Sequence, residues 1–181
     1  MHDRNMAFVI AFLAIGFVIA IGFWPADRTE PGELPTAGFR RHHDELKRVI
    51  HRWTEQVDDL HDASPARQIE IMEFSMGFLK QHVMIHAGVE ERVLYPAVER
   101  AAGAALTAPF REEHRILERR VRELEAVSEP AAFCHKSHQL AGLLTAHFEV
   151  EERVLLEVLD RRMTPDRFQR EVWSRMVSEL D

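Results

Sequence analysis

A nine-residue phrase occurs twice in this chain, and few folds can use it both times. The first copy is His86-Ala-Gly-Val-Glu90-Glu91-Arg-Val-Leu94, and the second is His147-Phe-Glu-Val-Glu151-Glu152-Arg-Val-Leu155. Each reads His-x-x-Val-Glu-Glu-Arg-Val-Leu inside a stretch of helical periodicity. In each, a histidine stands four residues before a glutamate. On a helix that spacing is one turn, so both side chains share a face and can close on one ion.

The surrounding chain reads as helix almost throughout beyond residue 38. Leu46, Ile50, Trp53 and Val57 form one apolar stripe, which predicts a first helix from about Phe39 to Leu60. Ser64 before Pro65 pairs a good N-cap with proline at the first helical position, opening a second helix that runs to about Ala102. Pro96 lies inside it and predicts a kink or local break, and Gly103 closes it. A third helix spans about Thr107 to Val127 and a fourth about Pro130 to Arg162. Thr164-Pro165 caps a short last one. Four long helices on short connections predict an all-α, up-down-up-down four-helix bundle over residues 39–162, followed by a C-terminal helix over 163–181.

The duplication extends to the preceding helices. The first carries His43-Asp-Glu-Leu and the third His114-Arg-Ile-Leu. Each half of the bundle thus has a helix with one histidine followed by a helix with His-x-x-x-Glu. Two such hairpins packed about a pseudo-twofold axis would point His43, His86, Glu90, His114, His147 and Glu151 inward. Taken singly, each is an ordinary surface or hydrogen-bonded residue. Taken together, with Val83, Val89, Leu144 and Phe148 beside them, they place two carboxylates near a buried seam, where a cation offsets the cost of burial. Four imidazoles and two carboxylates suit two divalent first-row metals bridged by the carboxylates, and the absence of thiolate favours iron or manganese over structural zinc. His82, one turn before His86, is a candidate ligand, a support for the ligands or a structural residue, and Glu118, four residues after His114, is a candidate ligand or one half of a surface salt bridge. His42 should point away into solvent. His138 is out of phase with His147 and reads as a non-ligand. Cys134 is the only cysteine, so no intramolecular disulfide forms. With 23 basic and 30 acidic residues and no basic patch, nucleic acid is not the partner.

Residues 6–24 are an uninterrupted apolar run ending on Trp24. The run is close to the ~20 residues a helix needs to cross a bilayer, with an aromatic residue at its edge. It predicts an N-terminal transmembrane anchor over residues 1–24 and a Pro/Gly-rich linker over 25–38. A cleaved leader is the other reading, with Ala20-Ile21-Gly22 as its small-residue motif. Arginines flank the run on both sides, at Arg4 and at Arg28, Arg40 and Arg41, so the side of the membrane that holds the bundle stays open.

The whole pattern resembles the hemerythrin-like, or HHE cation-binding, domain: His43 in the first helix, His86 and Glu90 in the second, His114 in the third, His147 and Glu151 in the fourth. The Leu94-Tyr95-Pro96 ending of the first phrase resembles that family too. The resemblance implies two non-haem iron ions, or manganese or a mixed pair, bridged by the two carboxylates. It implies a protein that binds or senses dioxygen or nitric oxide. The competing expectations are a di-iron oxidoreductase or iron-repair protein acting on nitric oxide or peroxide, and a metal-free tethered scaffold. The animal oxygen carriers of that family have a further histidine four residues after the one in the third helix, and an aspartate in the fourth. Here those positions are Glu118 and Glu151.

Overall fold

The computed structural model describes residues 32–179. The expected anchor at residues 6–24 lies outside the described residues, as does the linker up to residue 31. Among the described residues no helix is long and apolar enough to cross a membrane, and no strand occurs.

Four long helices and one short one make up the fold. Helix α1 is Ala37–Asp58, extended by a 3-10 turn over Asp59–His61. Helix α2 spans 65–102, α3 is Ala108–Glu125, α4 spans 130–162 and α5 spans 165–178. The starts follow from local chemistry. The Ser64 hydroxyl accepts the Arg67 N–H at 3.4 Å, and the Glu129 carboxylate accepts the N–H groups of Ala131 and Ala132. Thr164 accepts from Arg167 at 3.3 Å. Proline stands at the start of α2, α4 and α5, where its missing N–H costs nothing. Gly103, at φ +93°, ends α2 in a backbone region that L side chains rarely adopt.

Helix α1 begins two residues before the expected Phe39 because α4 caps it. Asp160 accepts the Thr36 N–H at 2.9 Å and the Thr36 hydroxyl at 3.0 Å, and Arg40 pairs with the same carboxylate at 3.0 Å. The last residues of the predicted linker are therefore part of the bundle.

Contacts at opposite ends set the directions of the helices. The start of α1 meets Asp160 near the end of α4, and its last residue, Asp58, meets His138 near the start of α4. Lys80 of α2 pairs with Glu125 at the end of α3, and Arg111 at the start of α3 pairs with Glu99 near the end of α2. Both pairs of helices are antiparallel, as an up-down-up-down bundle requires.

The core has two parts. One is built from Leu46, Trp53, Leu60, Phe78, Leu124, Leu140 and their neighbours. The other holds Phe39, Val93, Leu94, Tyr95, Leu155 and Leu159 together with Phe168, Val172, Trp173 and Met176 of α5. The predicted C-terminal helix thus closes one end of the bundle.

Pro96 does not break α2. Its helix passes through a π turn over Glu90–Leu94 immediately before the proline, in which the Tyr95 N–H donates to the Glu90 carbonyl five residues back. Widening the turn relieves the clash between the proline ring and the preceding carbonyls. Helix α4 has a π turn at the matching place, Glu152–Leu156. No proline follows there, so the proline is not its cause. What the two places share is the Glu-Glu-Arg-Val-Leu of the repeat.

Candidate metal centre

The six sequence-predicted residues come from four helices and meet between the two apolar clusters. All are buried: His43, Glu90 and Glu151 completely, His86, His147 and His114 to 4–6% exposure. They meet as two half-sites. In one, His43 Nε2 and His86 Nε2 stand 3.2 Å apart, with Glu90 Oε1 2.7 Å from His86 and 3.3 Å from His43. In the other, His114 Nε2 and His147 Nε2 stand 3.0 Å apart, with Glu90 Oε2 3.4 Å from His114. His43, His86 and Glu90 form one group of donors able to hold an ion, and Glu90, His114 and His147 form another. Glu90 belongs to both, offering one oxygen to each. Glu151 lies beside them, 3.5 Å from His43 Nε2. Neither of its oxygens, nor Glu90 Oε2, has a donor in hydrogen-bonding geometry.

The outward nitrogens explain why the inward ones converge. Glu152 faces His43 Nδ1 at 3.2 Å, Glu91 faces His114 Nδ1 at 3.0 Å, and Glu113 faces His147 Nδ1 at 2.8 Å. A carboxylate at Nδ1 places the proton there and leaves Nε2 as a lone pair. His114 and His147 then aim two lone pairs at each other across 3.0 Å. The Tyr95 O–H at 3.1 Å can serve His114 Nε2 alone; a shared proton or a cation serves both nitrogens, and the buried oxygens of Glu90 and Glu151 without donors have the same need. The donor set of imidazole and carboxylate suits a first-row divalent ion.

A model of the hemerythrin HHE cation-binding domain matches residues 34–159. The chain belongs to that family. Among curated proteins and among solved structures, none matches the chain.

The second glutamate of each repeat phrase now has a role in this hemerythrin-family bundle. In α2, Glu90 faces the centre while Glu91 reaches His114 of α3; in α4, Glu151 faces the centre while Glu152 reaches His43 of α1. On a regular helix adjacent residues diverge by about 100°. The π turns begin at Glu90 and at Glu152, and a wider turn lessens that divergence, so both glutamates can serve the same side of the bundle. This is the arrangement in which an outer carboxylate orients a ligand histidine. The doubled glutamate was visible in both copies of the repeat; only the second role was not.

Aromatic rings wall the centre from water. Phe148 stacks on His43 with centroids 4.6 Å apart, Phe39 meets the same ring edge-on at 4.6 Å, and Tyr95 stacks on His114 at 5.3 Å. In the sequence Tyr95 stands out only as part of the family-like Leu94-Tyr95-Pro96 ending. It is fully buried, but its hydroxyl also reaches to 3.1 Å from His114 Nε2. The π turn before Tyr95 changes its angular position relative to Glu90, which a regular 3.6-residue period does not anticipate.

Electrostatics in the metal-free centre follow the geometry. Burial pulls His43 down, but its contacts with Glu152 and Glu90 outweigh this and raise it. Burial opposed by Glu90 and Glu91 likewise leaves His114 raised. His86 and His147 are lowered, by burial first. Each half-site thus pairs an imidazole that takes a proton readily with one that does not. Burial pushes Glu90 up, yet the surrounding histidines, led by His86, hold it well below the usual carboxylate range. Burial and the charge of Glu90 push Glu151 well above it. Burial, then Glu151 and Glu90, keep Tyr95 protonated.

Neither candidate for an additional ligand reaches the centre, and one expectation, for His42, is corrected. Glu118 points to solvent and pairs with Arg122, with a side chain 57% exposed, as its surface-salt-bridge reading has it. The buried face of α3 continues from His114 through Leu117 and Val121, and Glu118 falls beside that stripe on the exposed side. His82 packs half-buried against Phe78, at 5.9 Å between centroids, and takes no part in either half-site. His42 is buried rather than solvated, with its ring 5.0 Å from that of His86, because α2 covers the flank of α1 next to His43.

A half-open cavity of about 160 Å³ between α3 and α4 borders the centre at His147. Ile116, Leu117, Leu143, Ala146 and Val150 line it, and His147 and Glu113 form its polar wall.

Proposed function

We propose that this bundle holds two non-haem iron ions and binds or senses a small neutral ligand, dioxygen or nitric oxide. The observation that carries the reading is the pair of His-His-Glu half-sites joined through Glu90, with the lone pairs of His114 and His147 converging at 3.0 Å. His43 and His86 would hold one ion and His114 and His147 the other, with Glu90 shared between the half-sites and Glu151 beside them as the second carboxylate. Paired irons supply redox electrons and open coordination positions to a diatomic ligand. The chain's own part is to fix the imidazoles through Glu152, Glu91 and Glu113, to exclude water with Phe39, Phe148 and Tyr95, and to keep an O–H at Tyr95. The apolar cavity beside His147 supports this choice of ligand. At about 160 Å³ it is below the 300–1,000 Å³ typical of sites for larger organic molecules. Residues 6–24 complete the proposal as a single membrane anchor, on the strength of their length and apolarity.

The test is iron content and the visible spectrum of the purified protein, reduced and then exposed to air or nitric oxide. About two irons per chain with a reversible ligand-dependent band, lost in His86→Ala and His147→Ala, is the expected result. Iron that consumes peroxide or nitric oxide through repeated turnovers would replace binding with an oxidoreductase. Absence of metal after anaerobic loading would overturn the assignment.

A further inference from the structure

Among the described residues, a third group of metal donors stands apart from the core: Asp58, Cys134 and His138. Cys134 and His138 are one turn apart on α4, the same i, i+4 geometry that aligns His147 with Glu151. Asp58 reaches them from the last residue of α1. Its Oδ1 lies 2.7 Å from His138 Nε2 and 3.9 Å from Cys134 Sγ, and one donor atom from each residue falls within 4.8 Å of the other two. The group borders an open cleft of about 700 Å³ that His61 and His135 also line.

We propose that Asp58, Cys134 and His138 form a separate, mononuclear site for a borderline divalent ion of the zinc class. A thiolate, an imidazole and a carboxylate are the donors such an ion takes, and the thiolate sets this site apart from the sulfur-free core. Zinc bonds of about 2.0–2.3 Å put the donors of a tetrahedral ion roughly 3.3–3.8 Å apart. The two Asp58 spacings need shifts of under about an ångström to reach that, and the Cys134–His138 spacing, within 4.8 Å, closes through rotation of partly exposed side chains. Three protein donors leave the fourth position open toward the cleft, as in zinc sites that hold a water or an exchangeable ligand. Burial and the Asp58 charge keep the free Cys134 thiol protonated. An incoming ion therefore displaces a proton, and affinity climbs with pH. The bound ion would also tie the end of α1 to the start of α4, on the half of the bundle away from α5.

Cys134 is the only sulfur of its kind in the chain, so two readouts see this site alone. The first is cobalt(II) added to the metal-free full chain. A thiolate-to-cobalt charge-transfer band can come only from Cys134, whatever cobalt enters the core. The second is the alkylation rate of the single thiol with and without zinc. The expected result is a sulfur-to-cobalt band that zinc displaces, and slower alkylation when zinc is present. Both vanish in Cys134→Ser for want of the thiol. In His138→Ala and Asp58→Asn affinity falls by at least the roughly 10–100-fold typical of losing an outer partner, with helical content unchanged. His86→Ala, which damages the core site only, keeps the band. Cobalt uptake without a sulfur band, zinc-independent alkylation, or loss of the band in His86→Ala would each overturn the proposal. None of these results bears on whether the core takes iron.

Discussion

Removing the outer carboxylates one at a time tests whether the repeat's second glutamates set the affinity of the centre, and burial predicts the order of the effects. Glu152 faces His43 Nδ1 and Lys47 Nζ, both at 3.2 Å, from a side chain only 17% exposed. Glu91 stands 3.0 Å from His114 Nδ1 but is 37% exposed and divides its charge with Arg111 at 3.5 Å. Losing such a partner costs about 10–100-fold in metal affinity, equivalent to about 1.4–2.7 kcal/mol. The drier Glu152 belongs near the upper end, because water and salt screen it less. Glu152→Ala also leaves the Lys47 cation beside a histidine that must receive another cation, which acts in the same direction. Glu91 belongs near the lower end, since solvent and Arg111 already share its role. The assay is competition between the metal-free protein and a chelator of known affinity, run on Glu152→Ala, Glu91→Ala and the parent at one pH and ionic strength. The expected order is parent, then Glu91→Ala, then Glu152→Ala, with roughly a decade between the two variants. A Glu91→Ala defect as large as that of Glu152→Ala would refute the ordering by burial. Affinities of both variants within about threefold of the parent would refute the role itself.

Other perturbations follow from the same contacts. Glu151 has a raised pKa in the metal-free fold, by burial and by the charge of Glu90. Its proton therefore stabilises that fold fully below the unfolded carboxylate value of about 4.3, and this contribution is lost as pH rises through the folded value. Chelated parent protein should lose thermal stability over that range more steeply than Glu151→Gln, as read by melting curves at a series of pH values. A parallel pair of profiles would contradict it. Phe148→Ala removes a fully buried ring stacked on His43; a loss of about 3–5 kcal/mol is expected, or on the order of 10 °C in melting temperature, even without metal. Asp160→Ala removes the cap that α4 lends to α1, and denaturant melts should show a loss of about 1–2 kcal/mol.

How much of this was legible in the sequence depended on whether a residue's role is set by its own helix. The caps at Ser64 and Thr164, the stop at Gly103 and the six central residues follow from local spacing and from a duplication that fixes two faces at once. Roles that cross between helices were less accessible. Glu91 and Glu152 look like any solvated Glu-Glu-Arg run until α3 and α1 supply the histidines they reach. Asp58 is remote from Cys134 and His138 along the chain, so the i, i+4 pair on α4 had no visible third member. Period counting misled wherever the period changed. The π turn at Glu90–Leu94 shifts Tyr95 relative to Glu90, and at Pro96, where a kink or local break was expected, it lets the helix continue. Glu118 was offered by analogy with a ligand position in the family, but the inward stripe of α3 runs through Leu117 and Val121, and Glu118 pairs with Arg122 in solvent.

Two of the four π turns among the described residues have a mechanical consequence. Those at Glu90–Leu94 and Glu152–Leu156 lie at the same level in α2 and α4, at the central glutamates, while the others fall at Leu79–Val83 of α2 and Gln169–Trp173 of α5. Beyond that level lie residues 95–102, 157–162 and the whole of α5, packed into their own apolar cluster. The ladder changes step in both helices at this one level, and the cluster beyond it is separate from the other, so this end of the molecule is the candidate for a cooperative unit that opens without unravelling the rest. Ions held between the two clusters would act as rivets across that seam. Amide exchange in residues 95–102 and 157–178 should then slow on metal loading far more than exchange around Trp53 and Leu140, giving this bundle one end that is permanently folded and one whose rigidity depends on its cargo.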